Sequence, residues 1–256
     1  MSYKDDQKQL KAPDEFQKLG AQALPWFETN GRTVLFAVVG VFVIFGVVAV
    51  VREISSRAET KATLGFGSAL RVLNREVNAV PPAVPPAPDE APFKSEQEKD
   101  EALVTKLTEF RKANDGKRAA LSAALPLAQA LLRQGKAAEA MPLLDEYIRS
   151  VESTDPLRPA ALEARGYAFE AQNKYDDALA AFDQLAKENK SDFMKGMGLY
   201  HRARLLQLKG DNDGAAKQFA EIQSLAPESS ASRLAKERIA LLAASGVAIP
   251  SIAAPA

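Results

Sequence analysis

"GYAFEAQNKYDDALAAF", residues 166–182, decides the fold. Gly166 presents no side chain, so a second helix can come close at that point. Phe169 lies three residues on, over the same face of a helix. The polar stretch Gln172-Asn173-Lys174 interrupts the apolar run and makes a turn. Ala178 and Phe182 then sit four residues apart, one turn along a returning helix. The spacing predicts two antiparallel amphipathic helices that bury one face on each other and leave the other for a neighbouring pair.

The neighbours are written in the same chain. Ala128, Gly166 and Ala203 are spaced by 38 and 37 residues, and Leu131, Phe169 and Leu206 keep those intervals. So do Ala140, Ala178 and Ala215, and so do Leu144, Phe182 and Phe219. The turn recurs as Gln134-Gly135-Lys136 and Lys209-Gly210-Asp211. Four positions in phase over three copies mark an internal repeat. Asp155-Pro156 and Ser191-Asp192 stand where caps of the second and third pairs belong, and Ser229 or Ser230 opens a last helix, expected to close the stack with a polar face.

The pattern of a small residue, an aromatic or leucine three on, then alanine and an aromatic four apart resembles the tetratricopeptide repeat. Pro227, twelve residues after Ala215, stands where that pattern has a proline. The chain departs from it in a period of 37–38 rather than about 34 residues, with the surplus around 153–158 and 189–192, and in lacking the opening Trp. The expected fold is all-α: a single transmembrane helix followed by a tetratricopeptide-repeat helical solenoid. The segments are a charged head (1–32), a span (33–51), a region of two helices and a proline strap (52–118), three repeats with a capping helix (119–244) and a disordered tail (245–256).

The span is "TVLFAVVGVFVIFGVVAVV", nineteen residues without a charge between Arg32 and Arg52. At 1.5 Å per residue it reaches roughly 29 Å, close to the hydrocarbon thickness of a bilayer. A secretion signal has a shorter apolar region behind a short basic head. Here Asp5, Asp6, Asp14, Glu15 and Glu28 precede the run, so a retained anchor is expected. Lys18 and Arg32 on one side, against Arg52, Arg57 and Lys61 on the other, lean only weakly towards a cytoplasmic C-terminal side. The strap, "AVPPAVPPAPDEAP" (79–92), has six prolines in fourteen residues and is expected to be extended. The segments 57–78 and 95–112 around it read as helices, a degenerate leading pair, with Ser95 as an N-cap.

A charged head ending in "WFETNGR" (26–32), one span, a juxtamembrane helix and then repeats resembles the YfgM-like ancillary subunit of the bacterial SecYEG translocon. That resemblance implies an inner-membrane protein with a cytoplasmic N-terminus, a periplasmic repeat domain, and contact with the translocon and periplasmic chaperones. The long proline strap departs from that family.

Composition excludes other classes. The 33 basic and 33 acidic residues balance, which argues against a general nucleic-acid surface. There is no cysteine and one histidine, His201, so no thiol nucleophile and no metal pair is expected. No phosphate-binding glycine loop or calcium loop is complete. Neither an enzyme, a cofactor, a metal site nor a small-molecule substrate is expected. His201 itself reads as a solvated or packed helix residue.

Binding a protein is the remaining use. By the repeat register the first helices of the pairs line a groove, with Ser122, Gln129 and Arg133 from the first, Glu163, Tyr167 and Glu170 from the second, and Tyr200, Arg204 and Gln207 from the third. Tyr167 and Tyr200 are expected to be exposed aromatic anchors for an extended or helical partner. The alternatives are a scaffold facing the cytoplasm, for a motility, division or secretion apparatus, and an enzyme regulator.

Overall fold

The computed structural model of the protein describes residues 15–78, 87, 91–188, 191–225 and 227–250, with side chains from residue 42 onward. The described elements are helices, α1 (Glu15–Asn74), α2 (Glu96–Ala113), α3 (Arg118–Ser122), α4 (Ala124–Arg133), α5 (Ala137–Ser150), α6 (Arg158–Ala171), α7 (Tyr175–Glu188), α8 (Asp192–Leu208), α9 (Asn212–Leu225) and α10 (Ser230–Ala244). They fall into two compact units, 1–58 and 59–256.

In the first unit α1 carries Phe42, Val43, Ile44, Phe45, Val47, Val48, Val50, Val51 and Ile54 all exposed. Among the described residues no helix is long and apolar enough to cross a membrane. Of the nineteen-residue run, the side chains of 33–41 lie outside the described residues.

In the second unit the repeat is built by α4/α5, α6/α7 and α8/α9. Each hairpin turns in the same way. Gly135 (φ 75°), Asn173 (φ 59°) and Gly210 (φ 88°) occupy the left-handed region, in phase at 38 and 37 residues. After each, the next amide reaches back across the turn: Lys136 N–H to Leu131 O at 2.9 Å, Lys174 to Phe169 at 3.0 Å and Asp211 to Leu206 at 2.9 Å. This closure satisfies the last carbonyls of the first helix, and glycine or asparagine is the residue that adopts it cheaply.

The columns read from the sequence are the core. Ala140, Ala178, Ala215, Leu144, Phe182 and Phe219 are fully buried, as are Ala128 and Ala203. A Cβ on Gly166 would come within 3.0 Å of three Phe182 ring carbons, so the glycine lets α6 lie on that ring. A second small-residue column escaped the sequence reading. Ala123, Ala161 and Gly198 are spaced by 38 and 37, and both alanines are fully buried. At Gly198 a Cβ would lie 2.7 Å from the Ala186 amide nitrogen and 2.8 Å from Phe182 O, so α8 runs against the backbone of α7. The first column seats each pair on itself, and the second seats the third pair on the second.

The first helix of the first repeat is interrupted at Ala123, dividing it into α3 and α4. Pro126 has no amide to give the Ser122 carbonyl and its ring crowds that turn. Ahead of it, the helix expected over 57–78 is the end of the single long α1, which stops at Asn74, and its side chains meet α2. Phe66 stacks on Phe110 with ring centroids 5.7 Å apart, and Gly65 faces the same ring. Ser95 caps α2 by accepting from Glu98 N–H, and the Lys94 amide donates to Glu98 Oε2 at 2.7 Å. The ends of the strap are pinned together. Val77 and Phe93 form a parallel bridge, Arg75 donates to Ala91 O and lies 4.0 Å from the Phe93 ring centroid, and Lys99 Nζ donates to Arg75 O. Residues 79–86 and 88–90, where the strap was expected to be extended, lie outside the described residues.

Capping differs in detail from the sequence reading. Asp155 does not cap α6 directly: it accepts from Leu157 N–H and from the Tyr147 hydroxyl, shaping the loop before the helix. Ser191 stands at the N-cap of α8 without a side-chain bond, whereas Ser229 caps α10 by accepting from Ser232 N–H. The tail also differs. Residues 245–250 turn through Gly246 (φ 89°) and Val247 N–H reaches Leu242 O, the repeat's own turn again. Val247 and Ile249 are half-buried against the C-terminal core, because two apolar side chains have an open helix end to cover. Residues 251–256 lie outside the described ones.

Candidate functional site

The helices α4, α6 and α8 bring the expected groove residues onto neighbouring elements, and side chains pair across them one repeat apart. Glu170 of α6 accepts two bonds from the Arg204 guanidinium of α8, at 2.6 and 2.5 Å. Glu163 takes His201 Nε2 at 2.8 Å. Tyr167 stands between these pairs. Its ring meets Phe182 and His201 edge-on, with centroids 5.6 and 5.1 Å away, and the Arg204 guanidinium lies 5.9 Å from its centroid. Its hydroxyl is 3.4 Å from both imidazole nitrogens. At the other end, Arg133 of α4 grips Asp100 of α2 through Nη2 at 2.6 Å and Nε at 3.0 Å.

The electrostatics follow from these pairs. Hydrogen bonding to Asp100 raises Arg133 above the ordinary guanidinium value, and Glu170 does the same for Arg204. Burial, reinforced by Glu163, pushes the Tyr167 phenol up to about 12. The face is therefore a fixed, charge-paired surface at neutral pH, with Tyr167 its exposed aromatic, 40% accessible.

Tyr200 is not a second exposed anchor. It is 8% accessible, tucked against His201 and Phe219 in the core. The register explains this: Tyr200 is equivalent to Leu125 and Glu163, at the inner border of the stripe, while the outer position is held by Gln129, Tyr167 and Arg204. Gln129, Ser122 and Gln207 are half-buried, and no hydrogen bond ties them to the pairs above. His201 is packed, 2% accessible, and links Glu163 and Tyr167. Its role was legible only as a chemical oddity, a histidine where the other repeats have Pro126 and Ala164. Asp100, supplied by the leading pair, has no repeat equivalent to announce it.

A family model described as the tetratricopeptide repeat matches residues 105–153, 125–193 and 163–230. Those matches cover the helix pairs whose turns and columns are in phase. This region is a tetratricopeptide-repeat solenoid. Among solved structures, a putative kinesin light chain from Podosopora anserina with nearly identical tetratricopeptide-like repeats is similar at a TM-score of 0.49 and 18% identity, over 59% of this chain and 81% of that one. A Q17M form of the same protein is similar at a TM-score of 0.49 and 18% identity, over 59% and 80%. No curated protein matches the chain.

A tetratricopeptide-repeat solenoid is a protein–protein interaction scaffold, whose stacked pairs present an extended surface. Among the described residues no group of three or more acidic, His or Cys side chains is placed to hold a metal ion.

Proposed function

We propose that the chain is a membrane-anchored interaction scaffold, held by residues 33–51 and engaging protein partners through the face of Gln129, Arg133, Glu163, Tyr167, Glu170, Arg204 and Gln207, with Tyr200 packed beneath it. The observation that carries the anchor is the band of α1 in which Phe42 to Phe45 and Val47, Val48, Val50 and Val51 are each 47–71% accessible. Large apolar side chains on every side of a helix require an apolar environment all round, and the uncharged run extends to nineteen residues. For the binding face, support comes from the repeat architecture and from Tyr167, an aromatic held rigid by Phe182 and His201 yet exposed.

The resemblance of "WFETNGR" and the order of segments to the YfgM-like subunit directs the choice of partner: the SecYEG translocon and periplasmic chaperones, with the repeats on the periplasmic side of the bacterial inner membrane. Two measurements test this. Carbonate extraction should leave the chain at full mass in the membrane pellet, and a soluble product beginning near residue 55 would mean a cleaved signal. A reporter that fluoresces only in the cytoplasm, fused after Ala256, should be dark. A bright reporter would favour the cytoplasm-facing scaffold, towards which Arg52, Arg57 and Lys61 lean.

A further inference from the structure

The second unit carries a large cavity away from the face of α4, α6 and α8. It is an open groove of about 800 Å³ between the last turns of α1 and the C-terminal half of α2. Its floor is apolar and built at helical spacing: Ala69 and Val72 from α1, Phe110 from α2. Its rim is cationic, with Arg71 and Arg75 on one helix and Lys106 on the other, against the single carboxylate of Glu109. Among the described residues none of the three cations is ion-paired. Arg75 spends its guanidinium on the Ala91 carbonyl and the Phe93 ring, neither of which neutralises it.

We infer that this groove is a docking site for an acidic amphipathic helix of a protein partner. Shape argues for a helix. The lining residues on α1 run from Gly65 to Arg75, a rise of roughly 15 Å, long enough for about three turns of a helix laid along it. The helix that continues the solenoid, α4, packs on α2 elsewhere and lines no part of this groove. Charge argues for an acidic one. A stripe of apolar side chains at i, i+3 or i+4 and i+7 would meet Ala69, Val72 and Phe110, and flanking Asp or Glu would meet Arg71, Arg75 and Lys106. The site is independent of the Tyr167 face and of which side of the membrane the unit occupies.

The test is photocrosslinking in the full-length protein in its native membranes. A photoreactive benzophenone side chain replaces Ser68 or Ala113, both exposed at the groove, and the crosslinked segment is identified by mass spectrometry. The expected adduct is an acid-rich, helix-forming segment of another protein. Its yield should fall about tenfold in the double variant Arg71→Glu/Lys106→Glu and be lowered similarly by high salt, while Arg71→Lys/Lys106→Arg keeps it. Both rim residues are exposed, and an unchanged circular dichroism spectrum shows that the fold is intact. Tyr167→Ala should leave the adduct untouched. A lipid adduct, a crosslink to a second copy of this chain, a basic or unstructured segment, no adduct, or a yield indifferent to the charge reversal would each overturn the inference.

Discussion

Gly166 of α6 lies on the Phe182 ring of α7 so closely that a Cβ there would come within 3.0 Å of its Cδ1, Cε1 and Cζ. Phe182 is fully buried and its ring also packs against His201, with centroids 4.6 Å apart. One ring therefore joins the second pair to the third. Gly166→Leu should overpack the site at about 1–3 kcal/mol, and Phe182→Ala should leave a cavity costing about 3–5 kcal/mol. Urea denaturation of the purified protein measures both. Unchanged midpoints for both variants would mean that this contact does not hold the pairs together.

The glycines separate propensity from packing. Alanine in a helix interior is favoured over glycine by about 1 kcal/mol. Gly67 has open space around a would-be Cβ, whereas Gly198 has the Ala186 nitrogen and Phe182 oxygen at 2.7 and 2.8 Å, backbone atoms that cannot rotate away. Gly67→Ala should therefore stabilise the protein slightly and Gly198→Ala should destabilise it. The reverse order of midpoints would place α8 farther from α7 than these distances allow.

The repeat was legible because its residues recur: a small residue at Gly166, an aromatic at Phe182 and a turn at Asn173 each have two counterparts in phase. Gly198 was missed although Ala123 and Ala161 share its column. It seats one pair on the next, against the backbone of α7, a contact that the pattern inside a single pair does not display. The proposed binding face was half legible. Tyr167 is exposed as the register implies, and the register also carries the inner position of Tyr200, whose counterparts are Leu125 and Glu163, while its contact with Phe219 leaves no trace in the sequence. The ion pairs Arg133–Asp100 and Glu170–Arg204 join residues 33 and 34 apart, a spacing that says nothing until the helices are stacked.

Tyr147, like Tyr167, is an alkaline weak point. Burial, then its bond to Asp155, pushes its phenol up to about 12, above the ordinary value near 10. The folded state thus holds the proton more tightly than the unfolded chain. The stabilisation is complete below about pH 10 and is lost as pH rises towards 12. Tyr147→Phe should lower stability at neutral pH, by about 1 kcal/mol for one hydrogen bond, and flatten the alkaline limb. Denaturation midpoints of the two proteins across that range give the comparison, and parallel limbs would refute the assignment.

Two ion pairs of similar length should differ in weight. Glu170 and Arg204 are 20% and 23% accessible, whereas Asp176, bonded to Lys209, is 89% accessible. Water screens the second pair and scarcely reaches the first. Glu170→Ala should cost about 1–3 kcal/mol, leaving a half-buried guanidinium without its partner, and Asp176→Ala less than about 1 kcal/mol. Equal costs in urea titrations would mean that Arg204 finds another acceptor.

Partner binding should turn on Tyr167. Its ring is held by Phe182 and His201 and still offers an accessible face, so a partner that covers it gains contact without ordering a mobile side chain. Truncating an aromatic at the centre of an interface often costs 2 kcal/mol or more, roughly a thirtyfold weakening. Tyr200→Ala is a poor companion variant, since it opens the core beside Phe219. The informative comparison is Tyr167→Ala against Lys174→Ala, an exposed residue on the turn behind the face. Asp183 is unsuitable as a control because it bonds Arg202 at 2.7 Å and Lys187 at 2.6 Å. Capture of the translocon or of a periplasmic chaperone in a crosslinking pull-down should fall with Tyr167→Ala and survive Lys174→Ala, with helicity unchanged in both. The opposite pattern would move the binding surface from the first helices of the pairs to the turns behind them.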